Sequence, residues 1–313
     1  MFYQNAKKRF DEDEDFKKTA HENVVKLQGG DEHCLAAWKM LCALSEKEFT
    51  KIYQRLDVKL EPMGESFYNP MLKPLVEEFK ERGFCEESNG AQCIFVPKQK
   101  VPVMLLKSDG GFNYDTTDMA ALRYRVNEQK ADRILYVTDV GQELHFKLIF
   151  AAGQKCEIYD PKVTTLNHMM FGMVLRESEE EVKEGEKKKV ERIKTREGKT
   201  IKLEDLLDEA KTRAMAQFKE RLEGDEGNKV QVDMDKLEET AEILGISAIK
   251  YYDLKQNRIQ NYVFSFDKML DPRGNTGIYL LYAYVRVLSI MRKAKVSIYT
   301  IVHIRFNFNY FSF

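Results

Sequence analysis

Apolar positions recur at helical spacing through residues 1 to about 83. Leu35, Trp38, Leu41 and Cys42 share one face, as do Phe49, Ile52, Tyr53 and Leu56. Ser45 with Glu48 matches a capping box, which predicts one helix ending and another beginning there. Trp38 is expected in the core. Gly29-Gly30 interrupts the preceding helix. Pro62, Pro70 and Pro74 mark a looser stretch before a helix over 75–81, which Gly83 closes. The period then shortens. Cys93 to Val96 and Val101 to Leu106 are apolar runs separated by Pro97 to Lys100, the pattern of a hairpin. Asp109-Gly110-Gly111 reads as a turn.

From 118 onward the pattern alternates. Asp118 reads as the cap of a helix over 119–128, 133–137 as a buried strand and 142–154 as a helix, and 162–170 contains a further strand. Such alternation predicts an α/β fold with part of a parallel, doubly wound sheet. Ligands in these sheets sit at the carboxyl ends of strands, where Asp139, Gly141, Gln142 and His145 fall. Helices are expected at about 203–222, at 234–244 closed by Gly245, at 246–264 and at 276–294. The last has Asn275 as a candidate cap and Ile278, Leu281, Tyr282, Val285 and Leu288 on one face.

Charge changes the picture in two places. The stretch 177–192 is so rich in Glu and Lys that it resists burial and reads as a mobile, solvated insertion. Asp11 to Asp15 is acidic and reads as a solvated helix start. The 313 residues carry 50 Lys plus Arg against 51 Asp plus Glu, a net charge of -1. Binding nucleic acid by bulk charge is therefore not expected, and any RNA would need a local basic face. The five Cys form no C-x-x-C pair, which argues against a zinc site or a disulfide framework and for reduced thiols in the cytosol. No secretory leader is visible. The segment 296–313 alternates like a strand with no partner in view, and is read as an aberrant tail, too polar for a membrane span.

Candidate chemistry gathers around Ser108-Asp-Gly-Gly111 and Tyr136 to Phe146. A guanidinium offers five donors and no acceptor, so its site needs carboxylate and carbonyl or hydroxyl oxygens. Asp118, Tyr114 and Gln142 supply that set. Spacing alone favours a plainer alternative: Asp118 a helix cap, Tyr114 a rim residue, Gln142 a surface residue. His145 lies three residues after Gln142, on the same helix face. It could pack beside a nucleotide base or bond a phosphate, but from its residues alone it reads rather as an ordinary helix histidine, and His168 has the same ambiguity. Lys194-Thr-Arg-Glu-Gly-Lys199 is a cationic loop suited to phosphate charge, a weak signal by itself. No phosphate-binding Gly-rich motif with its lysine, no G-x-G-x-x-G and no G-x-S-x-G is present.

Taken in order, Ser108-Asp-Gly-Gly with Tyr114-Asp-Thr-Thr-Asp118, Tyr136 to Gln142 with His145-Phe146, Phe171-Gly-Met-Val174, Lys194 to Gly198 and Leu203 to Leu207 resemble the arginyl-tRNA synthetases of class I. Val263 to Leu270 and Gly274 to Ala283 continue the resemblance, and Lys26 to Gly30 and Gly64 to Pro70 resemble the family's connective insertion. The likeness runs from about residue 1 to 295. It implies a ligase that activates L-arginine with ATP and Mg²⁺ to arginyl-adenylate and passes it to tRNA(Arg), in the cytoplasm, without a membrane, as a monomer when complete. It implies that Tyr114, Asp118 and Gln142 bind the arginine side chain. It places His145, Gly172, Met173 and Val174 at ATP, and Lys194, Thr195 and Arg196 in the signature loop.

The implied organisation is a helical connective insertion with a terminal hairpin over 1–107, the second half of the class I nucleotide-binding sheet over 108–245, and the start of a helical anticodon-binding domain over 246–295. His occurs at 21, 33, 145, 168 and 303, and none fits the family's His-x-Gly-His motif. The first half of the sheet is therefore expected before Met1. A second reading, of a different class, is a non-catalytic fragment that binds RNA or protein.

Overall fold

The structure is a computed structural model and describes residues 2–97, 99–177, 190–192, 202–224, 233–271 and 273–295. Along the chain run α1 (Phe2–Glu12), α2 (Glu14–Gln28), α3 (Glu32–Arg55) and α4 (Asn69–Glu81), then β1 (Glu86–Ser88), β2 (Ala91–Ile94) and β3 (Val103–Leu106). There follow α5 (Tyr114–Asn127), β4 (Arg133–Tyr136), α6 (Glu143–Lys155), β5 (Thr165–His168), β6 (Val174–Glu177) and β7 (Val190–Arg192). The last elements are α7 (Leu203–Gly224), α8 (Met234–Leu254), β8 (Tyr262–Val263), α9 (Phe266–Leu270) and α10 (Gly277–Ala294). They fall into two compact units.

The unit of 60–173 with 257–262 holds an antiparallel meander and a parallel strand pair. β2 pairs with β1 and with β3, so the expected hairpin forms and gains an outer strand. β4 and β5 pair in parallel, Ile134 opposite Leu166 and Tyr136 opposite His168. Leu75, Phe79, Ile94, Leu105, Met119, Leu122 and Ile149 are fully buried, so α4, α5 and α6 share one core with the meander. β4 is buried on one face only: Ile134 and Tyr136 point inward while Leu135 is half exposed. The helix expected over 75–81 starts earlier, at Asn69, because Pro70 sits in its first turn, where no backbone donor is needed.

The other unit is mostly helical. α7 packs on α8, and α8 on α9 and α10. Leu207, Ala210, Ala214, Leu237, Ala241 and Ala248 are buried between them. Gly245 does not end a helix here. It lies inside α8, where a Cβ would come within 2.9 Å of the Ala210 carbonyl carbon, so the glycine permits close helix contact. Ser45 likewise lies inside a continuous α3, its hydroxyl donating to the Leu41 carbonyl at 3.0 Å. No residue of α3 is fully buried, and Trp38 is half-buried rather than core. Arg55 closes α3 with ion pairs to Asp208 and Glu242, both at 2.8 Å. β6 and β7 pair antiparallel, Glu177 opposite Val190. They flank the charged stretch, whose residues 178–189 lie outside the described residues, as does 296–313. α10 is capped by Thr276, not Asn275, which instead accepts from the Tyr251 hydroxyl. On its expected apolar face Ile278 is buried, Leu281 and Leu288 are half-buried, and Tyr282 and Val285 are exposed.

Candidate arginine site

Local chemistry starts α5 at Tyr114. Asn113 is its cap, accepting from the Tyr114 backbone at 2.9 Å, while Thr116 Oγ1 accepts from the Asn113 backbone at 3.4 Å. Thr116 is wholly buried and donates to the Leu105 carbonyl, which fastens the helix start to β3. Asp118 is therefore in the second turn and caps nothing. The plainer alternative for this residue fails, because the cap is five residues upstream.

Freed from capping, Asp118 meets α6. His145 Nε2 lies 2.6 Å from Asp118 Oδ2. The other ring nitrogen, Nδ1, lies 3.3 Å from Asp115 Oδ1. Asp115 is buried, and its second oxygen accepts from the Met104 backbone at 2.9 Å. The two carboxylates stand one helical turn apart on α5, at positions i and i+3, and bracket one imidazole. The Tyr114 ring rests against that imidazole with centroids 5.1 Å apart, and the Phe146 ring lies at 5.0 Å. Burial draws the His145 pKa down, but hydrogen bonds to Asp115 and Asp118 and their charges outweigh it and push it up to about 9.

Gln142 ends a single 3-10 turn, Val140–Gln142, just past β4, and is exposed at the start of α6. Asp139 caps that turn, accepting from the Gly141 backbone at 2.8 Å. Tyr114, Asp118, Gln142 and His145 are thus all carried by the two helix starts next to the meander and the β4–β5 pair. Tyr114, Asp118 and His145 are in direct contact. Asp115 is the residue that sequence reading missed. Its signal was present in the Asn113–Thr116 capping box, which sets the helix register and puts Asp115 beside Asp118.

Gly172 and Met173 occupy a different setting. The Gly172 backbone donates to the Arg258 carbonyl at 2.8 Å, and the Met173 backbone to Asn261 Oδ1 at 2.7 Å. A Cβ on Gly172 would come within 2.4 Å of the Gln260 backbone, so only glycine allows this approach. These two donors hold the loop of 257–262. Val174 opens β6. Lys194, Thr195 and Arg196 lie outside the described residues.

His168, at the end of β5, shares a hydrogen bond of 2.7 Å with the Thr138 hydroxyl and packs on Phe146. Burial draws its pKa below the usual histidine value. A cavity of about 520 Å³ opens elsewhere along α5, lined by Met71, Glu78, Arg123 and Tyr124. Of its two carboxylates, Glu78 and Glu128, Glu78 is already bonded to Arg123 at 2.6 Å and to Arg82 at 3.1 Å. The Asp115–Asp118–His145 cluster, rather than that cavity, is the candidate site. Among the described residues no cluster of His, Cys, Asp or Glu is arranged to hold a metal ion, and no helix is long and apolar enough to cross a membrane.

Comparison with known proteins gives a consistent result. Residues 1–266 match the family described as tRNA synthetases class I (R), catalytic domain. The chain is 47% identical over 295 residues to the cytoplasmic arginine–tRNA ligase of Gallus gallus, covering 94% of this chain and 42% of the relative. It is 48% identical over 297 residues to the chloroplastic/mitochondrial arginine–tRNA ligase of Arabidopsis thaliana, covering 94% and 44%. The solved arginyl-tRNA synthetase of Plasmodium falciparum superposes with a TM-score of 0.74 at 40% identity, over 91% of this chain and 45% of that one. The chain thus spans somewhat under half the length of these relatives.

Proposed function

Given that the chain belongs to the class I arginyl-tRNA synthetase family, we propose that it carries one wall of the arginine site of an arginine–tRNA ligase. In that reaction the carboxylate of L-arginine attacks the α-phosphate of ATP, pyrophosphate leaves, and the arginyl group then passes from the adenylate to tRNA(Arg). The observation that carries the reading is that Asp118, with no capping role, meets α6 at His145 beside the Tyr114 ring, while Gln142 is exposed at the start of the same helix. Asp118 supplies the anion for the guanidinium, and charge-assisted bonds of this kind are roughly twice as strong as neutral ones. The Tyr114 hydroxyl and the Gln142 amide oxygen add acceptors that a planar, five-donor group can use.

ATP is the second substrate. His145, Gly172, Met173 and Val174 belong to its side of the site in this reading, and Lys194, Thr195 and Arg196 to the loop that stabilises phosphate charge. Mg²⁺ accompanies the ATP phosphates, which need charge neutralisation. The proposed organisation assigns 1–107 to the connective insertion, 108–245 to the nucleotide-binding half and 246–295 to the anticodon-binding part. A cytoplasmic, monomeric enzyme is proposed with them.

The test is binding of L-arginine and of ATP to the 313-residue chain by calorimetry, with Asp118→Ala as the variant. Loss of one charged, partly buried contact should weaken arginine at least about tenfold and ATP, which Asp118 reaches only through His145, by far less. Equal weakening of both ligands would remove Asp118 from the arginine role.

A further inference from the structure

The carboxylate assigned to a guanidinium already holds a cation of the protein itself. Both His145 ring nitrogens face carboxylates, Asp118 at 2.6 Å and Asp115 at 3.3 Å. A neutral imidazole has one donor and one acceptor nitrogen, so one nitrogen would face a carboxylate with like polarity. Only the doubly protonated ring donates to both. The His145, Asp115 and Asp118 side chains are 13%, 12% and 31% exposed, so water screens the trio weakly. The Tyr114 and Phe146 rings hold the imidazole in place from α5 and α6.

We propose that His145 is an internal cation occupying Asp118 and that arginine binds by displacing it. The proposal rests on the reading of Asp118 as the guanidinium acceptor. The exchange follows from donor geometry. An ammonium is a point charge and gives Asp118 little that the imidazolium does not already give. A guanidinium presents a planar fork that engages both carboxylate oxygens at once. Asp115 remains in place during the exchange, because its second oxygen is tied to the Met104 backbone at 2.9 Å. The displaced imidazolium keeps one anionic partner and stays charged nearby.

The other charged and titratable groups around the ring do not supply a competing cation. On α5 these are Tyr114, Asp115 and Asp118. On α6, Glu143 is paired with Lys147 at 2.6 Å. From β5, His168 is drawn below the usual histidine value by burial and is neutral near pH 7. From β4, Tyr136 stays protonated, since burial raises its pKa. The sign of the pH dependence then follows. Protonated His145 competes with arginine, so loss of its proton as pH rises toward the alkaline range frees Asp118 and strengthens arginine binding.

The test uses the 313-residue chain and two probes, L-arginine and L-lysine. The α-amino group of either probe titrates in the same pH range, so each measurement is paired with His145→Gln in the same buffer and read as a ratio. The first expected result is spectroscopic. The His145 ring nitrogens show an imidazolium by ¹⁵N NMR at about pH 7, and added arginine shifts them. The second is thermodynamic. His145→Gln binds arginine more tightly than the unaltered chain at about pH 7, the advantage shrinks by about tenfold toward pH 10, and lysine, which meets the same internal cation, gains by a similar factor.

A neutral ring at pH 7, or ring signals unmoved by arginine, overturns the proposal on the unaltered chain, whether or not His145→Gln folds. If arginine binds, Asp118→Ala abolishes it and His145→Gln binds no tighter, this proposal falls while the arginine site stands. If arginine binding is indifferent to Asp118→Ala, the underlying reading falls and this proposal with it.

Discussion

His145 makes the stability of its surroundings depend on pH in a direction that can be computed. Its pKa is raised from 6.5 to about 9 by Asp115 and Asp118 against the opposing pull of burial. A raised folded-state pKa means the folded chain binds the proton more tightly than the unfolded one. The stabilisation is therefore fully present below the unfolded value and is lost as pH rises through about 9. The pKa difference corresponds to on the order of 3 kcal/mol. The denaturant midpoint of the chain is expected to fall across that window, with the fall absent in His145→Gln. At this scale Tyr114, Asp118 and Gln142 were legible as candidates, since their residue types suit a guanidinium, and His145 only through the family resemblance, as an ATP-side residue. Asp115 was not, because placing the helix start at Asp118 put Asp115 outside the helix. One misplaced cap hid the residue that holds the other side of the imidazole.

Elements show where local sequence signals were overruled by packing. Ser45 with Glu48 satisfies the pattern of a capping box, yet α3 runs through it and the Ser45 hydroxyl bonds the preceding turn. The same box at Asn113 and Thr116 is real, because Thr116 is also fastened to β3. Asn113→Ala is expected to lower stability by about 1 kcal/mol, measured by chemical denaturation, since the first-turn donors lose their acceptor. Gly245 reads locally as a helix terminator, and glycine in a helix interior is disfavoured. The structure keeps it helical because α7 approaches so closely that a Cβ would meet the Ala210 and Lys211 backbones. Gly245→Ala tests this. Propensity alone predicts a gain, whereas overpacking predicts a loss of about 1–3 kcal/mol in thermal or denaturant unfolding. The second outcome is expected, as backbone atoms cannot move aside like a side-chain tip.

At the scale of the whole molecule, the α/β class was readable from the alternation after residue 118, and the family from its ordered motifs. Burial was not. Leu41 and Phe49 on α3, and Tyr282 and Val285 on α10, are exposed although their spacing suggests a core face. Exposed apolar side chains in such numbers favour association. The chain is expected to bind a hydrophobic fluorescent dye in its native state, with the signal reduced when Val285 and Ile290 are both replaced by Lys. What the sequence alone determined is local and additive: helical and strand periods, turns at Gly and Pro, charge density that resists burial, and the residue types a guanidinium needs. Only the tertiary structure decided which apolar faces are covered, that Gly245 serves helix contact, and that Asp115 and Asp118 close on one histidine. Those outcomes depend on atoms far apart in the chain meeting at contact distance, and spacing along a sequence carries no record of that distance.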